Sequence, residues 1–122
     1  MKYMLLFCGT EEEVPAELDR ALYKKVEEWF DRYGKQGRIL EGYELQPTKT
    51  AKTVRLKAGK PVVLDGPFVE SKEAVGGYAI VEVPDEAAVL EMAREWNAIW
   101  AAIPSPTGSH GAVEVRPIVT RG

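Results

Sequence analysis

Residues 3–8 read YMLLFC, six apolar positions in a row, closed by Gly9. A run this short suits a buried strand better than a helix, which needs ten or more residues and a 3.6-residue period. The same character returns in YAIV, residues 78–81, within the longer run GGYAIVEV. An antiparallel sheet with one wet face alternates apolar and polar residues, whereas a strand that is apolar at every position asks for cover on both faces. How many helices the chain can offer as cover therefore bounds what it can become.

It offers two. In TEEEVPAELDRALYKKVEEWFDRYGKQG, Leu18, Leu22, Val26, Trp29 and Tyr33 recur at spacings of three and four and line one helical face. Pro15 fits a first turn, Glu11 to Glu13 suit the positive end of the helix dipole, and Gly34 or Gly37 can end the helix. In PDEAAVLEMAREWNAIWAA the stripe is Val89, Met92 or Ala93, Trp96 and Trp100, with Asp85 placed as N-cap. Between the helices, RILEGYEL reads as a strand broken at Gly42, and KTVRLKAGKPVVLDGPF as a hairpin turning at Ala58-Gly59. Pro61 confines its strand to an edge, since proline donates nothing to a ladder. IPSPTGSHG interrupts the pattern before a last strand, AVEVRPIV.

The order strand, helix, strand, hairpin, strand, helix, strand predicts an α+β fold: a ferredoxin-like split βαβ with a β-hairpin insertion, in one domain over residues 1–122. Both helices then cover one face of the sheet. The economical cover for the other is a second copy, which predicts a homodimer of the dimeric α/β-barrel kind.

Net charge is −3 with acids and bases interspersed and no basic stripe, so nucleic acid is not an expected partner. The lone cysteine, Cys8, allows no internal disulfide and sits in an apolar run, which predicts a buried, inert thiol. No stretch approaches the ~18 apolar residues of a membrane span, and the opening MKYMLLFCGTEEE is too short in its apolar part for a signal peptide, so no membrane association and a cytoplasmic location are expected. One histidine and one cysteine, far apart, make a metal site unexpected. AVGGYA lacks the G-x-G-x-x-G spacing and no helix follows it, so no cofactor is expected.

Alternation puts Ala79, Val81 and Val83 under the helices and Tyr78, Ile80 and Glu82 on the other face. In the last strand Val113, Val115 and Val119 share the helix side, and Ala112, Glu114 and Arg116 the opposite one. Charged groups between two sheets must be paired. Either Glu82 or Glu114 forms a register-fixing ion pair with Arg116, or these groups line a pocket for a small acidic or hydroxylated ligand, with the Arg116 fork taking a carboxylate. His110, in the loop before that strand, is a further candidate to reach the pocket.

DGPFVESKEAVGGYAIVEV, residues 65–83, combines a turn signal at Asp65-Gly66-Pro67 with a charged run and a glycine pair. This segment resembles the signature of the YCII-related, or DGPF-domain, family nearly position for position. MKYMLLF, LQPTKTAKTVRL and GAVEVRPI also resemble family blocks, so the likeness spans almost the whole chain. It implies a ferredoxin-like dimeric α/β barrel. The broader superfamily includes enzymes of ring-cleavage products that use a His–Asp pair, with the histidine in the first helix. Residues 15–37 contain none, and the matching position lies near Val26, which leaves enzymatic activity open. Two functions are carried forward. One is binding of a small ligand in a pocket involving Asp65, Tyr78, Glu82, His110, Glu114 and Arg116. The other, implied by the resemblance, is a regulatory role linked to extracytoplasmic-function sigma factors, in which Phe68, Glu70, Lys72 and Glu73 present a loop to a protein partner.

Overall fold

The computed structural model describes residues 1–11, 14–67, 74–104 and 110–121. The elements are β1 (Lys2–Gly9), α1 (Ala16–Lys35), β2 (Ile39–Glu44), a short 3-10 turn (Thr48–Thr50), β3 (Lys52–Lys57), β4 (Lys60–Asp65), β5 (Ala74–Glu82), α2 (Glu86–Trp100) and β6 (Ala112–Pro117). Four strands form an antiparallel sheet in the order β2-β5-β1-β6, and β3 pairs with β4 in a separate ribbon. This is the expected α+β arrangement.

The core lies between the helices and one face of the sheet. Tyr3, Leu5 and Phe7 of β1 and Ala79, Val81 and Val83 meet Trp29 and Tyr33 of α1 and Ala88, Val89, Met92 and Trp96 of α2. Phe7 stacks on Trp96 with ring centroids 4.0 Å apart, and Trp29 meets Phe7, Phe30, Tyr33 and Trp96 edge-on. Such pairs add about 0.5–1.5 kcal/mol each beyond the burial itself. Trp29 is 1% exposed and its Nε1 donates to Met92 O at 3.0 Å, so one side chain fills the helix–helix seam and satisfies a buried carbonyl.

Local chemistry sets the element ends. Asp85 caps α2, its Oδ1 accepting from Ala88 N at 2.8 Å. Pro15 stands one residue ahead of the first turn of α1, as its N-cap. At the other end Arg38 N donates to Tyr33 O and Gly37 N to Gly34 O, both at 3.0 Å, the paired bonds of a Schellman stop, with Gly37 left-handed. Ala58 (φ +52) and Gly59 (φ +79) are both left-handed, which gives the hairpin a turn twisted in the sense its strands need. Ala58 bears a steric cost there of about 1–2 kcal/mol.

β2 departs from the expected reading. It runs unbroken through Gly42, and the irregularity is a bulge at Leu40, between the pairs Ile39↔Val81 and Glu41↔Ile80. Gly42 is needed for contact: a Cβ there would come 2.8 Å from the Phe30 ring of α1. Cys8 is half-buried, not buried, because it lies on the face of β1 away from the helices. Val119 falls beyond β6 and is exposed.

α1 and α2 are also pinned at their rims. The Tyr33 hydroxyl donates to Glu95 Oε2, which Arg32 also engages, and Arg32 lies 4.9 Å from the centroid of the Tyr33 ring. Burial, then the bond to Glu95, pushes the Tyr33 phenol up to about 12. A phenol whose pKa rises on folding contributes stability fully below its unfolded value of about 10 and loses it as pH climbs through the folded value. Chemical denaturation between pH 9 and 12 should therefore show wild type losing more stability across that window than Tyr33→Phe, and parallel profiles would contradict this. Trp29→Ala should cost about 3–5 kcal/mol in urea unfolding, because it opens a cavity in the helix–helix seam and removes the indole bond to Met92 O.

The open face of the sheet

On the face away from the helices, cross-strand partners align in rows, since residues opposite one another in an antiparallel pair share a face. One row runs Glu41, Ile80, Met4, Arg116 across β2, β5, β1 and β6. The next runs Tyr43, Tyr78, Leu6, Glu114. Cys8 opposite Ala112 extends the face at one end, and Lys2 opposite Glu82 at the other. The result is an apolar strip of Met4, Leu6, Tyr78 and Ile80, half-buried by mutual packing, between exposed polar margins. Both helices lie on the other side, and among the described residues no element packs over this strip.

Tyr43 and Tyr78 form an aromatic pair, ring centroids 6.2 Å apart and planes tilted by 49°. Burial, with the Glu41 carboxylate second and Tyr43 third, holds the Tyr78 phenol above its ordinary value. On the opposite margin Arg116 Nε stands 3.7 Å from Glu114 Oε2, with the two side chains 70% and 56% exposed. An ion pair so open to water contributes at most about 1 kcal/mol. It lies within one strand, so it does not fix register between strands. The terminal amino groups of the Arg116 fork have no partner among the described residues, and the side chain is 70% exposed. Glu82 is separated from Arg116 by β1 and lies 3.9 Å from the amino group of Met1.

Tyr78, Glu82, Glu114 and Arg116 thus share one face, as alternation predicts. Asp65 ends β4 in the separate ribbon, where it is ion-paired to Lys52. His110 is half-buried and meets the Trp100 ring of α2 edge-on at 5.4 Å, which places it on the helix side of the sheet, opposite Glu114 and Arg116. Phe68, Glu70, Lys72 and Glu73 lie outside the described residues.

Sequence reasoning missed Glu41 and Tyr43. Counted by twos from the inward Ile39, both residues would point at the helices. The bulge at Leu40 flips every residue after it. The available signal was Gly42, the one residue in that strand small enough to sit beneath Phe30.

Among the described residues no three His, Cys, Asp or Glu side chains converge as metal ligands, and no helix is long and apolar enough to cross a membrane. A shallow concavity of about 850 Å³ beside Lys24, Val26, Phe30 and Lys35 lies on α1 alone and brings no convergent chemistry.

An uncharacterised protein of Rhizobium meliloti (strain 1021) is 30% identical over 122 residues, an alignment covering 97% of this chain and 92% of the relative. The model of the YCII-related domain family matches residues 1–120, and the chain belongs to that family.

Proposed function

We propose that the open face is the floor of a small-molecule site in a cytoplasmic homodimer, roofed by the same face of a second copy, and that its ligand is a small acidic or hydroxylated compound. The observation that carries this is the juxtaposition on one uncovered face of an apolar strip, a tyrosine pair and an arginine with its terminal donors turned to solvent. Met4, Leu6 and Ile80 supply apolar contact, Tyr78 a hydroxyl, and Arg116 a planar fork matched to a carboxylate. Covering the strip raises the value of each polar contact by excluding water. In this setting Glu114 holds Arg116 in place, and Glu41 or Glu82 is the carboxylate available as a base for a bound hydroxy or keto acid.

Sedimentation equilibrium should find a dimer at micromolar concentration and a monomer for Leu6→Glu, which sets an unpaired charge in the middle of the strip. A folded wild-type monomer at that concentration would sink the pairing. A thermal-shift panel of small hydroxy and keto acids should yield at least one stabilising ligand, with the shift lost in Arg116→Ala and retained in Asp65→Ala. No stabilising acid, or a shift indifferent to Arg116→Ala, would overturn the assignment of the ligand.

A further inference from the structure

The open face is divided in charge along its midline. β2 and β5 form one half of the sheet, and the charged residues they place on this face are Glu41 and Glu82, with no cation. β1 and β6 form the other half and place both cations of the face, Lys2 and Arg116, there with the carboxylate of Glu114. Glu41 and Arg116 are the two ends of one row, with Ile80 and Met4 between them. Three strand spacings, about 14 Å, separate their backbones. Among the described residues neither Glu41 nor Lys2 is in an ion pair.

A two-fold axis that lays this face on its own copy must lie in the plane between the sheets. Aligned sheet packing leaves it two directions, along the strands or across them. With the axis across the strands, each strand lies over its own copy, so Glu41 and Glu82 meet only β2 and β5 again and find no cation in any register. With the axis along the strands, every row reverses. Glu41 then lies over the partner's Arg116, Glu82 over the partner's Lys2, and Tyr43 over the partner's Glu114.

We infer that two copies pair about an axis running along the strands, midway between β1 and β5, with Glu41 of each copy ion-paired to the partner's Arg116. The inference rests on the sheet pairing proposed above and fixes how the sheets meet. Stacked sheets lie about 10 Å apart, a gap that a glutamate and an arginine reaching from opposite sides close. Arg116 keeps Glu114 at its Nε and turns its terminal amino groups to the partner's Glu41. Both pairs flank the apolar centre made by Met4 and Ile80, where covering the face excludes water and strengthens each pair. The ligand site is then built from both chains. Tyr43 and Tyr78 of one copy lie on the margin that the partner's Arg116 covers, so the hydroxyl and the guanidinium come from different subunits, and each dimer holds the site twice.

Charge exchange tests the pairing with no ligand present. Glu41→Arg and Arg116→Glu are made separately, both at exposed positions, with near-ultraviolet circular dichroism confirming an intact core. Each variant alone sets like charges against each other at both margins of its homodimer, and sedimentation should show the dimer Kd raised at least about tenfold. An equimolar mixture of the two variants restores opposite charges at both margins and should recover a dimer near the wild-type Kd. A mixture no tighter than the separate variants overturns the inference. So does a wild-type Kd in each variant alone; if Leu6→Glu still dissociates, the sheet pairing stands and only its axis and ion pairs are wrong. Wild type that sediments as a monomer at micromolar concentration removes the sheet pairing and the inference together.

Discussion

Trp29 and Met92 hold two helices together over one face of a four-stranded sheet, and among the described residues there is no third helix to place on the other. That shortage of cover organises the molecule. The buried side of β1, with Tyr3, Leu5 and Phe7, meets a core of packed aromatic rings, while Met4 and Leu6 on the same strand lie half-buried on the opposite face among their neighbours in the sheet. Exposed apolar surface of this kind, rimmed by charged groups, marks a place of association in soluble proteins. Here it coincides with the aromatic pair and with Arg116, so the surface that asks for a partner is also the surface with recognisable chemistry.

The polar groups on that face are few and are set by strand register. Glu114 follows Leu6 across the β1–β6 pair, and Arg116 follows Met4, so one strand alone places a carboxylate and a guanidinium two residues apart on one side. Tyr43 reaches the same side because β2 bulges at Leu40. The bulge does two things: it lets Gly42 pass under Phe30, and it turns Tyr43 outward to lie against Tyr78. Packing of the helix layer and composition of the open face are therefore coupled through one irregular residue.

Much of this could be read before any coordinates. The helices were visible because Leu22, Trp29 and Tyr33, and Val89, Met92 and Trp96, keep a helical period, and because Asp85 is a strong cap. The hairpin was visible because two β-rich runs flank Ala58-Gly59 with a lysine on either side, although Ala58 is a costly residue for a left-handed turn position. The faces of β5 and β6 followed from strict alternation. What escaped was whatever depends on departures from periodicity: the outward turn of Glu41 and Tyr43 after the bulge, the pairing of Asp65 with Lys52, and the seating of His110 against Trp100. Loop residues carry no period, so a sequence can say that His110 lies near β6 but not on which side of the sheet.

Cys8 provides the most direct probe of the uncovered face, because its thiol lies on that side and no other cysteine is present. The rate at which a thiol reagent modifies it reports whether the face is shielded. The account predicts slow modification at micromolar protein, accelerating on dilution and fast in Leu6→Glu at every concentration. Modification equally fast in wild type and in Leu6→Glu, without dependence on concentration, would show the sheet open to water and contradict the account.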